Sequence, residues 1–148
     1  MTPLDPDFEP RVRASFARQA IMATLGASLG RVAPGAVEIV LPVAAHIGQQ
    51  HGFVHAGAVA TIADSAAGYA ALSLMPSGAG VLTTEFKINL MAPATGERLI
   101  AEGRVVKAGR TLTVALAEVR AEAGGTRRLI AMLTATMMTM TGRDDVSD

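Results

Sequence analysis

The chain has 148 residues, half of them apolar, with no cysteine and a formal charge of zero. That length suits one compact domain with a continuous core. The missing cysteines exclude disulfides, thiolate chemistry and Cys-ligated zinc and fit a reducing cytoplasm, while a neutral chain offers no global field to draw nucleic acid or an anionic membrane.

Residues 1–10 hold Pro3, Pro6 and Pro10 beside Asp5, Asp7 and Glu9 and lack the basic-then-apolar pattern of an export signal. They are expected to be a loose arm, with the folded domain over residues 11–140 and a polar, frayed tail over 141–148. Residues 11–25 read as an amphipathic helix with Val12, Phe16, Ala20 and Ala23 on one face, punctuated by Gly26 and Gly30. Val37, Ile39, Leu41 and Val43 then alternate as one face of a strand, and Pro42 marks its edge or end.

A polar loop over 44–54 leads into residues 55–75, where helix-forming apolar residues fall on nearly every face. Such a helix is buried all round. Pro76 breaks the pattern, and four strand-like segments follow, over 81–91, 97–107, 111–121 and 127–140, separated by Gly- and Pro-containing turns. Thr84, Phe86, Ile88 and Leu90 mark one face of the first, and Leu112, Val114 and Leu116 one face of the third. A single buried helix followed by an antiparallel meander predicts an α+β domain whose sheet curls around the helix and which dimerises to cover the rest. Four Phe, one Tyr and no Trp leave its core to small aliphatics and eight Met. No charge-free apolar run reaches the roughly 20 residues of a membrane span.

Asp64 stands in the middle of this helix with Ala60, Thr61, Ala67 and Gly68 as helical neighbours and no Lys or Arg between Arg31 and Lys87. A carboxylate buried without a partner is protonated or removed at a cost. Asp64 therefore either serves structurally, capping a helix break or meeting an Arg from the later strands, or lies in a cleft that uses its proton affinity. Thr61 and Ser65 read as ordinary back-bonding residues. His55 falls at the helix N-terminus, where free N–H groups and the dipole favour negative charge; a structural hydrogen bond is its plainer role. His46 and His51 lack a metal-ligating acid at a useful spacing, and no metal is expected. Nine helical positions separate His55 from Asp64 by about 13.5 Å. The two cannot form a dyad within one subunit, so a joint site needs two antiparallel copies of the helix across a two-fold axis.

The run Gln49-Gln50-His51-Gly52-Phe53-Val54-His55-Ala56-Gly57 with Asp64 resembles the signature of the PaaI-like hotdog thioesterases: a polar Asn or Gln, a His-Gly-Gly, and an acid nine positions after the His. Residues 83–94 and 106–111 resemble the strand and turn that follow in that family, within the wider 4-hydroxybenzoyl-CoA thioesterase-like superfamily. The resemblance implies a hotdog fold, dimers that often pair into tetramers, and hydrolysis of acyl-CoA thioesters without metal or cofactor. By match, Asp64 would activate or orient water, or attack as a nucleophile. Thr83 matches a hydroxyl that holds the water, with Thr84 as a neighbouring alternative; regular strand alternation puts Thr84 with the apolar face and Thr83 opposite. The amide after His55, in the Ala56-Gly57 turn, would polarise the carbonyl with help from Gln49. His55 would fix the loop and could donate to the carbonyl as well. Two departures stand out: Ala56 replaces the first glycine, and Gln49 replaces the Asn of many relatives. Lys107 and Arg110, flanking Gly109, are candidate contacts for the CoA phosphates, with Arg127 and Arg128 behind them, although solvated strand ends explain them equally well. An acyl-CoA binding module without turnover, and an acyl-thioester hydratase or dehydratase, are the rival readings.

Overall fold

The computed structural model describes residues 1–143 and 145–148. Its first helix, α1 (Phe8–Arg18), begins inside the segment expected to be a loose arm. The arm is held because Asp5 is buried and pairs with Arg11 at 3.2 Å. The same guanidinium donates to the Leu72, Met75 and Pro76 carbonyls at 2.9, 2.9 and 2.6 Å.

The expected helix over 11–25 is two helices. Gln19 turns extended (ψ 92°) between α1 and α2 (Ala20–Leu25), which ends on left-handed Gly26 at φ 78°. The break changes the buried face: Val12 and Met22 are buried, whereas Ala20 and Ala23 are exposed. An edge strand, β1 (Ser28–Ala33), follows where only glycine punctuation was expected. In β2 (Ala36–Pro42), Val37, Ile39 and Leu41 are buried as expected and Pro42 is the terminal residue.

A loop with a short 3-10 turn leads to α3 (Ala56–Leu72), then β3 (Gly80–Leu90), β4 (Arg98–Lys107), β5 (Leu112–Ala123) and β6 (Thr126–Met140). The six strands form one antiparallel sheet in the order β1-β2-β4-β5-β6-β3. Thus α3 connects β2 to the opposite edge and lies along the concave face. A curved sheet wrapped around one central helix is the hotdog arrangement.

Why α3 is built of alanine is visible where it crosses β4. A methyl group on Gly103 would stand 2.2 Å from the carbonyl carbon and oxygen of Ala66, so helix and strand backbones are almost in contact. Ala63, Ala66, Ala67 and Ala70 are fully buried there. Facing strands must then present small groups too, as Ala101, Ala115, Ala117 and Ala135 do. The face expected from Leu112, Val114 and Leu116 is consequently the outer one, because the helix leaves room only for Ala115 and Ala117 between them; Leu112 and Val114 are exposed.

The tail is not frayed over its described residues. Val146 packs on Gly80, where a Cβ would come within 2.7 Å of its carbonyl oxygen, and Asp148 accepts from Ser15 at 2.6 Å and Arg18 at 2.7 Å. Among the described residues, no helix is long and apolar enough to cross a membrane.

Candidate active site

Asp64 lies on the flank of α3 that faces β3. Its Oδ1 accepts a hydrogen bond from the Thr83 hydroxyl at 2.8 Å, and among the described residues it has no ion pair. Burial holds its carboxyl above the usual carboxylate range, and the Thr83 hydrogen bond opposes that rise. Structural pairing with a later Arg, the plain alternative in the sequence, is therefore not what the fold provides.

Regular alternation placed Thr83 on the wrong side. The β3–β6 ladder pairs Thr83 with Met137 and Glu85 with Thr136, leaving Thr84 as an extra residue. This bulge reverses the phase of β3. Thr83 joins Phe86, Ile88 and Leu90 on the helix side, while the Thr84 hydroxyl donates to the Thr136 carbonyl at 3.0 Å. Thr84 is thus drawn away from Asp64.

His55 is the N-cap of α3, with an extended backbone (φ −61°, ψ 139°), and its Nδ1 accepts from the Gly57 N–H at 2.9 Å. That contact makes the neutral ring carry its proton on Nε2. A Cβ at Gly57 would stand 3.0 Å from Nδ1, so a glycine keeps the cap unstrained. The Ala58 and Val59 amides both donate to the His55 carbonyl. Of the first helical amides, Ala56 N–H is the one with no acceptor among the described residues. No non-glycine residue described has positive φ, so alanine in place of the family's glycine fits without strain. Gln49 folds over its own loop, its Oε1 accepting from the His51 N–H, which leaves its Nε2 as the free donor. Gln49, His55 and Ala56 border a cavity of about 560 Å³ whose other walls include Phe53, Val59 and Leu90.

Asp64 and Thr83 border a different cavity, of about 290 Å³. Within one chain the acid and the helix N-terminus are therefore separate, as their spacing required. Gln19, Ser15 and Tyr69 wall the Asp64 cavity and escaped the sequence reading; a helix break at Gln19 has no glycine or proline to announce it. Ser65 also serves there, donating to Gln19 Oε1 at 3.3 Å in place of back-bonding, whereas Thr61 does bond back to the Gly57 carbonyl.

Lys107, Gly109 and Arg110 are exposed at the β4–β5 turn, with Gly109 and Arg110 at the rim of a third cavity near the end of α3. Arg127 and Arg128 do not stand behind them. They begin β6, at the opposite end of β5, where Arg127 pairs with Glu122 at 2.6 Å and Arg128 donates to the Pro93 carbonyl at 3.0 Å. Among the described residues, no three His, Asp or Glu groups gather as a metal site.

Comparison with known proteins agrees with this architecture. A thioesterase family protein of Silicibacter pomeroyi superposes with a TM-score of 0.89 at 53% identity, over 91% of this chain and 99% of its own. PaaI of E. coli, from the phenylacetic acid degradation operon, shares the fold with a TM-score of 0.81 at 20% identity, over 94% and 97%. A Halobacterium salinarum protein that bears the provisional name of an esterase is 31% identical over 121 residues, covering 78% of this chain and 80% of that protein. The model of the thioesterase superfamily matches residues 51–127, from the His51 loop through the central helix to the start of β6, and the chain belongs to that superfamily.

Proposed function

We propose that this chain hydrolyses acyl-CoA thioesters, with Asp64 as the base that activates water. The observation that carries this reading is a carboxyl held in an alanine-rich helix with a hydroxyl as its partner, no ion pair among the described residues and a cavity in front of it. An elevated proton affinity brings a carboxylate closer to the pH at which it can take a proton from water. Thr83 occupies Oδ1, which leaves Oδ2 for the water. Asp64 removes a proton as the water oxygen bonds to the thioester carbon. The carbonyl becomes an oxyanion, which then expels the sulfur; the proton passes to CoA thiolate, giving a free acid and free thiol.

The oxyanion needs an aimed donor, and the open Ala56 N–H at the positive end of α3 supplies one. His55 fixes that end of the helix, Gly57 makes room for it, and Gln49 Nε2 can add a second hydrogen bond. Eight positions along α3 separate this amide from Asp64, about 12 Å, so the donor comes from a second copy. The edge of β3 supports that assembly: it is eleven residues long, unpaired on one side among the described residues, with Leu82, Phe86 and Leu90 about half exposed. Such an edge pairs with another strand. Two copies joined through β3 run their α3 helices antiparallel and make two equivalent sites. The apolar outer face around Leu112 and Val114 offers a surface on which dimers can pair into tetramers. Lys107 and Arg110 at the Gly109 turn are suited to CoA phosphates, and the cysteine-free sequence fits work in the cytoplasm.

Thiol release from a panel of acyl-CoAs tests the reading. Catalytic turnover supports it. Stabilisation of the protein by acyl-CoA with no thiol released would instead establish a binding module.

A further inference from the structure

The cavity beyond Asp64 has an unusual wall for a site that would accept an acyl group. Of the ten described residues that line it, only Gly68 and Val81 lack a polar side chain. Tyr69 Oη and Ser65 Oγ both converge on Gln19 Oε1, at 3.4 and 3.3 Å, distances long enough to leave each group able to serve another partner. Ser15 stands beside them, and the Arg18–Asp148 pair closes the far side. Tyr69 itself is fixed by the Phe16 ring, with ring centroids 5.8 Å apart. At about 290 Å³, the space has room for on the order of ten water-sized groups.

We infer that this chamber receives the acyl group of the substrate and selects compact acyl groups that end in a hydroxyl, with Gln19 and Tyr69 as the specificity-determining residues. The inference rests on the thioesterase reading and deepens it. A carbonyl carbon held in front of Asp64 projects its substituent past Thr83 into the chamber. An alkyl chain there would displace water from Gln19, Tyr69, Ser65 and Ser15 and return no hydrogen bond, a penalty paid for each buried polar group. A terminal hydroxyl can donate to Gln19 Oε1 and accept from Tyr69 Oη or Gln19 Nε2, and so replaces the lost water. Sites built to bond a substrate hydroxyl discriminate strongly against the analogue without it. The larger cavity beside His55, walled by Phe53, Val59, Leu90 and Met91, is where an alkyl chain would go if this assignment were wrong.

The experiment compares kcat/KM of the full chain for acetyl-, hexanoyl-, 6-hydroxyhexanoyl- and dodecanoyl-CoA, measured by thiol release. The expected order places 6-hydroxyhexanoyl above hexanoyl by about tenfold or more, with dodecanoyl lowest. In Gln19→Leu the ratio of hydroxylated to plain hexanoyl falls toward one. Tyr69→Phe, which keeps the ring packing, serves as the second variant should the helix break tolerate no leucine, and the same fall is expected. Dodecanoyl as the best substrate, or an unchanged ratio in a folded variant, overturns the chamber and leaves hydrolysis standing. Absence of thiol release from all four, acetyl-CoA included, overturns the chamber together with the thioesterase reading.

Discussion

The Thr83 hydroxyl reaches Asp64 Oδ1 at 2.8 Å because the next residue, Thr84, is an unpaired insertion in the β3–β6 ladder. Two adjacent threonines thereby acquire different surroundings. Thr83 donates to the acid on the concave side, and Thr84 bonds a strand carbonyl. Thr83→Val should lower kcat/KM about tenfold or more by freeing the carboxylate from its orienting partner, while Thr84→Val should change it little. Steady-state thiol release on the two purified variants, side by side, separates them.

The same hydrogen bond sets a pH dependence. Burial raises the proton affinity of Asp64 and Thr83 opposes it, so activity should fall on the acid side along a limb lying above the ordinary range of an aspartate. In Thr83→Val that limb should move to higher pH. The sign for stability is the reverse of a salt-bridged acid. A raised folded-state pKa stabilises the fold below the unfolded-state pKa, and the contribution is lost as pH rises through the folded value. Asp64→Asn should therefore melt higher than the native chain at neutral pH, with the difference shrinking as the pH is lowered. A melting series across acid and neutral pH checks it.

Ala56 offers a test of the amide donor that spares the helix. Proline is favoured at the first position of a helix, and the extended His55 before it suits an X-Pro bond. Ala56→Pro removes only the open N–H. It should fold with native stability and lose on the order of 10²–10³ in kcat. Co-expressing Ala56→Pro with Asp64→Asn, each inactive alone, should recover roughly a quarter of native activity, because half of the dimers are mixed and each of these holds one intact site. Recovery near zero, with mixed dimers demonstrated, would contradict a site shared between copies.

Gly103 and Gly68 should respond oppositely to the same change. Gly103→Ala drives a methyl into the Ala66 backbone at 2.2 Å and should cost about 3 kcal/mol or prevent folding. Gly68, in the interior of α3, has nothing within 4 Å of its absent Cβ; Gly68→Ala should stabilise by roughly 0.5–1 kcal/mol through helix propensity. Urea titration of both measures the difference.

Arg11 is the third stability test. It ties three carbonyls at the end of α3 to buried Asp5. Arg11→Met leaves a buried carboxylate unpaired and should cost roughly 3–5 kcal/mol, of which Asp5→Asn in the same chain should restore a part.

Much of this was legible in the residues themselves. Apolar positions on every face of residues 55–75 announce a buried helix, and alternation with turn residues marks the four strands after it. Asp64 stands out because a charge in such a helix demands a reason. What escaped depends on contacts between distant segments. The bulge at Thr84 arises from how β3 and β6 pair. The inward face of β5 is alanine because Gly103 admits the helix so closely, whereas alternation marks the Leu112 face without telling which way it points. The Gln19 break and the anchoring of residues 1–10 follow from Tyr69, Ser65 and the carbonyls that Arg11 caps, none of which is near in sequence.

Thiol release by the native chain against Asp64→Asn, on the best acyl-CoA of the panel, tests the central assignment most directly. Asparagine keeps the size of the side chain and can still accept from Thr83, but it cannot take a proton from water. With fold and oligomeric state unchanged, turnover should drop by about 10²–10⁴. Equal turnover in the two proteins would contradict Asp64 as the base and return the search for the reacting group to the rest of the chain.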